Sequence, residues 1–282
     1  MRISYVNGRF LPHSEASVHI EDRGYQFSDG VYEVMAVVNG AFLDGDWHLA
    51  RLRYSLEQLE IAPPVAWTAF PILVRELLRR NKARDGMVYI QATRGVAKRD
   101  HAFPKNTRPS LVMTVVQPKW PSAAMMEKGV PIITAPDVRW GRRDIKSISL
   151  LPNILAKQAA ARAGVREAWL VGEDGVVTEG SSTNAWIIDA KGKVVTHPAN
   201  HRILGGITRL TLIQLAKEAG IPVVEKPFTV SDLRKASEAF LTSTTSLVLP
   251  VVVADGKKIG KGVVGPVTKK LQQLYADYIS GL

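Results

Sequence analysis

The chain has 282 residues, of which 46% are hydrophobic and 22% charged, and this corresponds to about two globular domains of roughly 150 residues. It contains no cysteine, which excludes thiol nucleophiles, cysteine-bound metals and disulfides; since it also shows no signal peptide and no apolar run near the ~20 residues of a membrane span, we predict a soluble cytoplasmic protein. The net charge of +11 comes from scattered lysines and arginines, so we expect a basic surface with a pocket for a small anion and neither a nucleic acid nor a membrane as partner.

The first part of the chain has the pattern of an antiparallel sheet with helices. Asn7-Gly8 and Asn39-Gly40 are typical hairpin turns, and leucines at helical spacing follow His48. The predicted elements are a strand, turn and strand over 1–12, a strand over 31–38, helices over 48–61 and 70–81, and strands over 87–94 and 110–117. We predict a small α+β domain over residues 1–119.

Residues 120–129 lack helical and strand periodicity and are predicted to be an interdomain linker. The remainder, 130–282, is predicted to be a larger α+β domain. Its predicted strands cover 130–135, 169–172, 176–178, 184–189, 193–196, 223–227, 238–242 and 248–253, and its predicted helices cover 153–163, 207–219, a short stretch near 232 and the C-terminus from about 264.

Three segments carry groups that could bind an anion. Gly205-Gly206 precede a predicted helix whose first amides, at Ile207 and Thr208, have no intrahelical partner. The hydroxyl-rich run 242–246 follows a strand, and Arg51 lies on the face of the helix that begins near residue 48. Each also has an ordinary interpretation, as a flexible turn, a solvated loop or a surface arginine, and the residues alone leave the choice open.

Two further segments carry a single charged group beside small or apolar residues. Glu179, followed by Gly180-Ser181-Ser182, could meet a cationic ligand atom, or could be a solvated residue in a polar turn. Lys146 precedes an apolar stretch; a desolvated lysine has a lowered pKa and acts as a nucleophile or base. It could equally extend its ammonium group into water, so both alternatives stay open.

A basic loop between two predicted strands carries Arg99 and His101. In an extended loop, residues two apart point the same way, and a guanidinium can bind a carboxylate with two hydrogen bonds. The pair could hold a carboxylate, or the loop could be mobile and solvated.

In their order along the chain, these segments resemble the class IV, or fold-type IV, aminotransferases that use pyridoxal 5′-phosphate, and within that family the D-amino-acid aminotransferases. The stretches that carry the resemblance are Glu21–Phe27, Asp29–Val34, Asp144–Ser147, Thr178–Ser182, Thr196–Pro198, Gly206–Arg209 and Thr242–Ser246. The resemblance implies an α+β fold with a smaller N-terminal sandwich-like domain and a larger C-terminal pseudo-barrel domain. Ser28 stands where the family commonly has glycine.

The resemblance also implies roles for individual residues, and it implies no metal. Lys146 would bind the cofactor aldehyde covalently and move the substrate proton, and Glu179 would pair with the pyridine nitrogen. The other implied cofactor contacts are Arg51, the amides of Ile207 and Thr208 and the Thr244 hydroxyl around the phosphate, Ser182 beside the ring and its 3-oxygen, and Leu204 under the ring.

Tyr32, Arg99 and His101 match the carboxylate trap of D-amino-acid aminotransferases, in which the arginine and histidine come from the partner subunit. A homodimer is therefore implied, with amine transfer from a D-amino acid such as D-alanine to a 2-oxo acid such as 2-oxoglutarate. Two alternatives share the fold, a branched-chain L-amino-acid aminotransferase and an aminodeoxychorismate lyase, and a third is of a different class, a basic nucleic-acid-binding protein without catalysis.

Overall fold

The structure, a computed structural model, describes residues 1–281, which divide into two compact units. The first unit is Met1–Pro118 with Ile145–Ser149, and the second is Lys119–Asp144 with Leu150–Gly281. Both combine helices with a sheet, so the predicted α+β class is confirmed. Within residues 1–281, no helix is long and apolar enough to cross a bilayer.

The first unit is built on a sheet whose neighbouring strands are all antiparallel, in the order β2-β1-β6-β5-β3-β4. Its strands are β1 (Ile3–Val6), β2 (Arg9–Pro12), β3 (Gly30–Val38), β4 (Ala41–Phe42), β5 (Gly86–Thr93) and β6 (Ser110–Val116), and its helices are α1 (Arg23–Phe27), α2 (Gly45–Gln58) and α3 (Ala69–Asn81). Helix α2 packs on β3, and α3 packs on β1 and β6. Buried side chains such as Val31, Leu52 and Phe70 fill the core between them.

The segment Ile145–Ser149 belongs to the first unit although the chain around it belongs to the second. Ile145 is buried in the core of the first unit, and Ser147 forms an isolated bridge with Val31 of β3. The amide of Ile148 donates to the Gly30 carbonyl at 3.1 Å. These contacts fix Lys146 against the start of β3.

Ser28 is the C-cap residue of α1, and its φ of 57° lies in the left-handed region. The Ser28 amide donates to the carbonyls of Arg23 and Gly24. A side chain costs free energy in this conformation, whereas glycine adopts it freely. We therefore expect Ser28→Gly to raise the free energy of unfolding by about 0.5–1 kcal/mol, once the extra freedom of glycine in the unfolded chain is subtracted. Denaturant titration of the two proteins measures this, and an equal or lower stability would contradict it.

The second unit contains a mixed sheet, in the order β12-β11-β10-β14-β15-β7-β8-β9-β13 with β16 paired to β15. Its strands are β7 (Val130–Pro136), β8 (Glu167–Val171), β9 (Val176–Gly180), β10 (Asn184–Ile188), β11 (Val194–Thr196), β12 (Val223–Glu225), β13 (Phe228–Thr229), β14 (Glu238–Ser243), β15 (Leu247–Ala254) and β16 (Lys257–Lys258). Its helices are α4 (Ala123–Lys128), α5 (Leu151–Arg162), α6 (Ile207–Glu218), α7 (Val230–Lys235) and α8 (Pro266–Ser280). Helix α6 packs against β14 and α8, and α5 packs against β8.

The structure differs from the prediction over residues 120–129, where a linker was expected. Helix α4 forms there, and the Ser122 hydroxyl accepts a hydrogen bond from the Met125 amide at 3.2 Å. Met125 and Met126 pack against the core of the second unit. The segment is therefore an ordered part of that unit, and its helix is too short to show a periodic pattern in the sequence.

Candidate active site

In the first unit, α2 presents a row of polar side chains to β3. His48, Arg51 and Ser55 are three and four residues apart, so they share one helix face. Glu33 of β3 is fully buried and accepts hydrogen bonds from Arg51 Nε at 2.7 Å and Arg51 Nη2 at 2.9 Å. His48 Nδ1 lies 2.7 Å from the second oxygen, Glu33 Oε2. The Glu33–His48–Arg51 cluster thus fixes the guanidinium of Arg51, the residue that is predicted to bind the cofactor phosphate.

The charges of this cluster follow from its burial. Burial would by itself raise the pKa of the Glu33 carboxyl, but the Arg51 charge and the hydrogen bonds from His48 and Arg51 hold that pKa well below its usual range. Burial lowers the pKa of His48. The cluster therefore contains an ionised Glu33, a charged Arg51 and a neutral His48 whose Nδ1–H donates to the carboxylate.

This arrangement predicts how stability changes with pH. An unfolded His48 takes up a proton near its ordinary pKa of about 6.5, whereas burial opposes that protonation in the folded state. As the pH falls below about 6.5, the unfolded state binds more protons, so we expect the free energy of unfolding to fall by up to about 1.4 kcal/mol per pH unit for this group.

Denaturant titration between pH 7 and pH 5, within the range where histidine titrates, measures the slope. His48→Gln is expected to flatten it, whereas His19→Gln, a change at an exposed histidine, is expected to leave it unchanged. An identical slope in the wild-type and His48→Gln proteins would contradict the assignment of a neutral buried His48.

Lys146 is held between β3 and α2 by its own backbone. Its amide donates to the Ser55 hydroxyl at 3.2 Å, and its carbonyl accepts from the Tyr32 amide at 3.0 Å. The Lys146 Nζ atom lies 4.2 Å from the centre of the Tyr32 ring. The structure thus brings together two of the residues singled out in the sequence, Lys146 and Tyr32.

Arg99 and His101 are exposed, and both lie against Phe27. The Arg99 guanidinium carbon is 4.6 Å from the centre of the Phe27 ring, and the His101 ring centre is 5.5 Å from it. The ring of Tyr32, in contrast, stacks on Tyr89 at 5.7 Å. In this single chain, Tyr32 therefore has a different neighbour from Arg99 and His101, which share Phe27.

In the second unit, Glu179 lies near the end of β9 and is buried. It accepts hydrogen bonds from Asn184 Nδ2 at 3.0 Å and from the Leu204 amide at 3.1 Å. Arg139 Nη1 lies 2.5 Å from Glu179 Oε1. Burial raises the pKa of the Glu179 carboxyl, and the Arg139 charge together with the Leu204 amide opposes that rise.

Arg139 has a role that the sequence did not indicate, beside the carboxylate of Glu179. Its side chain is buried and also pairs with Asp137, with Nη2 2.8 Å from Asp137 Oδ2. The two acidic neighbours raise the pKa of Arg139 despite its burial. Arg139 is therefore a fixed positive charge beside Glu179.

The start of α6 adjoins the same part of the second unit. Gly206 is the N-cap residue, and no side chain caps the helix. A Cβ atom at Gly206 would collide with Asn184 Oδ1, so a larger residue there would displace the Asn184 side chain. Asn184 is paired across β10 and β14 with Thr242, and Ser243–Ser246 follow at that strand end. The start of α6 and the end of β14 thus both lie next to Asn184.

Ser182 and Ser181 are oriented by a buried carboxylate that the sequence did not single out. Ser182 Oγ donates to Glu167 Oε2 at 2.8 Å, and Ser181 Oγ donates to the other oxygen of Glu167. The Ser181 carbonyl accepts from Asn153 Nδ2 at 2.8 Å. The turn after Glu179 is therefore fixed by hydrogen bonds to Glu167 and Asn153.

Comparison with known families gives one match over most of the chain. A family model described as amino-transferase class IV matches residues 30–253. This range includes Tyr32, Lys146, Glu179 and Thr244.

Curated relatives match over nearly the whole chain. A D-alanine aminotransferase from Bacillus licheniformis is 43% identical over 267 residues, which are 94% of this chain and 93% of the relative. One from Listeria monocytogenes is 42% identical over 277 residues, covering 97% of this chain and 95% of the relative.

Solved structures are similar over the same extent. A branched-chain amino acid aminotransferase from T.th., solved with pyridoxamine 5′-phosphate, has a TM-score of 0.91 and 27% identity, covering 99% of this chain and 94% of that one. The Escherichia coli branched-chain amino acid aminotransferase has a TM-score of 0.92 at 23% identity, covering 99% of this chain and 95% of that one, a likeness of fold.

Proposed function

Because the chain belongs to the class IV aminotransferase family, we propose that it uses pyridoxal 5′-phosphate to transfer the amino group of a D-amino acid such as D-alanine to a 2-oxo acid such as 2-oxoglutarate. The observation that carries this proposal is the 43% identity to a D-alanine aminotransferase over 94% of the chain. When bound, the cofactor supplies an electron sink for the bond that breaks at the amino acid Cα.

The second unit offers groups that suit the cofactor phosphate. The first amides of α6 have no capping side chain, and free helix N-terminal amides attract anions. The Thr244 hydroxyl in the neighbouring turn is a further donor. We propose that these groups bind the phosphate. Arg51 of the first unit, whose guanidinium is oriented by Glu33, stays a predicted phosphate ligand.

Glu179 suits the pyridine nitrogen of the cofactor. A buried carboxylate favours the protonated form of a nearby ring nitrogen, and Glu179 is held in place by Asn184 and the Leu204 amide. Arg139 favours the ionised form of Glu179 because it is a fixed opposite charge. Ser182 follows Glu179 closely in the sequence, and the Leu204 amide donates to Glu179. We propose that Leu204 lies under the ring and that Ser182 contacts the ring and its 3-oxygen.

Lys146 is proposed to bind the cofactor aldehyde through Nζ and to accept the proton from the substrate Cα. Both tasks need a neutral amine, because an ammonium group has no lone pair. The backbone contacts of Lys146 to Ser55 and Tyr32 fix the point from which the side chain extends, and a fixed starting point favours a productive position of the amine.

Tyr32, Arg99 and His101 are proposed to bind the substrate carboxylate, with Arg99 and His101 supplied by the partner of a homodimer. The exposure of both side chains in a single chain supports this. Helix α5 also has an exposed apolar face, on which Leu151, Ile154 and Leu155 are 65%, 59% and 62% exposed, and such a face is typical of an interface. The homodimer and the cytoplasmic location stay predictions.

A branched-chain L-amino-acid aminotransferase is the second candidate, because solved enzymes of that kind share the fold at 27% identity. The test is a panel of D- and L-amino acids assayed with 2-oxoglutarate and with pyruvate as acceptors. We expect D-alanine to react faster than any L-amino acid. Turnover of L-leucine but not of D-alanine would overturn the proposal, and so would release of pyruvate from a chorismate-derived substrate without an acceptor.

A further inference from the structure

The basic loop that carries Arg99 and His101 is held by a buried arginine of α1. Arg23 is 3% exposed, and its Nη1 donates to the Asp100 carbonyl at 2.6 Å while its Nη2 donates to the His101 carbonyl at 3.4 Å. Arg23 Nε is itself held by Asp29 Oδ2 at 2.7 Å. The backbone on the C-terminal side of Arg99 is therefore tied to the interior of the first unit.

A second buried arginine ties the same loop to α2. Arg94 Nε donates to Asp29 Oδ2 at 2.7 Å, and its Nη2 donates to the Leu59 carbonyl at 2.7 Å. Its guanidinium carbon lies 3.6 Å from the centre of the Phe103 ring. Asp29 thus accepts hydrogen bonds from both arginines, Arg23 and Arg94.

Phe27, the last residue of α1, is the surface on which the exposed side chains of the loop rest. Its ring centre lies 4.6 Å from the Arg99 guanidinium carbon and 5.5 Å from the His101 ring centre. The Arg23 guanidinium carbon is 4.9 Å from the same centre. One aromatic ring therefore connects the buried anchor with both predicted carboxylate ligands.

This contact matters because Arg99 and His101 are otherwise solvent-exposed. A long exposed side chain samples many rotamers, and binding a ligand through it requires one of them. A cation over an aromatic face is attracted to it, so the ring restricts Arg99 before any substrate arrives.

We propose that Phe27 is a positioning residue that orients Arg99 and His101 for the substrate carboxylate. The inference rests on the proposed function, since it requires that these two side chains bind the carboxylate. In this proposal Phe27 acts through its contacts with these two side chains.

The test compares Phe27→Leu with wild type as holoenzymes. We expect the KM for D-alanine and for 2-oxoglutarate to rise about 2- to 5-fold, as loss of one exposed cation–π contact implies, while kcat stays within about 2-fold. Phe27→Tyr, which keeps the ring, should restore the wild-type KM. The matched control is Phe10→Leu, which removes an Arg80 contact of 4.5 Å elsewhere in the first unit and should leave both constants unchanged.

A double-mutant cycle separates this inference from the proposed function. In a chain that carries Arg99→Ala and His101→Ala, Phe27→Leu should raise KM no further. If the two alanine substitutions leave KM unchanged, the carboxylate trap itself is wrong. If the alanine substitutions raise KM, three results would show that the positioning role is wrong. Phe27→Leu could leave KM unchanged, it could lower only kcat, or it could raise KM by its full factor in the chain that already carries both alanines. Phe27→Met replaces Phe27→Leu in the cycle if the leucine variant does not fold.

Discussion

Lys146→Ala is expected to lower transamination by at least about 10⁴-fold, because it removes the amine that accepts the Cα proton. The backbone of residue 146 keeps its contacts to Ser55 and Tyr32, so the variant should fold and retain the cofactor by non-covalent contacts. The measurement is the rate of pyruvate formation from D-alanine with 2-oxoglutarate as acceptor, together with the thermal unfolding of the variant.

Lys191→Ala is the control, since Lys191 is an exposed turn residue of the second unit; it should keep full activity. A Lys146→Ala enzyme that turns over D-alanine at even a tenth of the control rate would show that another group moves the proton.

Glu33→Gln is expected to destabilise the protein by about 3–5 kcal/mol, the usual cost of removing one partner of a buried ion pair. Glu33 is completely buried, and both Arg51 and His48 donate to it. An amide would leave the Arg51 charge without its counter-charge in the interior. Chemical denaturation of the cofactor-free protein measures the change in the free energy of unfolding. Because no cofactor is bound, this measurement does not depend on catalytic activity.

Glu76→Gln is the matched control. Glu76 also accepts from two arginines, at 2.6 Å from Arg79 Nε and 2.7 Å from Arg80 Nε, but it lies on the exposed face of α3. Solvent screens that pair, so its loss should change stability far less. Equal effects of the two substitutions would contradict the view that burial gives the Glu33–His48–Arg51 cluster its strength.

The sequence predicted the antiparallel sheet of the first unit and the helices α2 and α3 because their apolar residues follow clear periods. It did not predict α1 or α4, which have five and six residues, whereas it did predict α7, which has six. Helices this short show no reliable period, so a periodic pattern detects some of them and misses others. The position of Ile145–Ser149 in the first unit depends on contacts with β3 that are remote in sequence. The class IV resemblance and the fold type, both taken from motifs, are confirmed by the family match and by the solved structures.

Lys146, Glu179 and Gly206 were singled out by the resemblance to the family, because the local pattern at each of them left an ordinary interpretation open, and their roles stay predictions. Their supporting residues were not found. Arg139 meets Glu179 across 40 residues of chain, and Glu167 meets Ser182 across 15. Glu33 is an acidic residue within a β-branched run, and an acidic residue in such a run indicates a buried ion pair. Its partners, however, lie on a separate helix. Such pairings are set by tertiary packing, so no local pattern reports them.

The central claim is that the amine of Lys146 binds pyridoxal 5′-phosphate, and borohydride reduction of the native enzyme tests it directly. Reduction followed by proteolysis and mass spectrometry should show a phosphopyridoxyl group on the peptide that contains Lys146, and the visible absorbance of the enzyme should disappear at the same time. A purified protein without that absorbance, or a label on a different lysine, would contradict the claim.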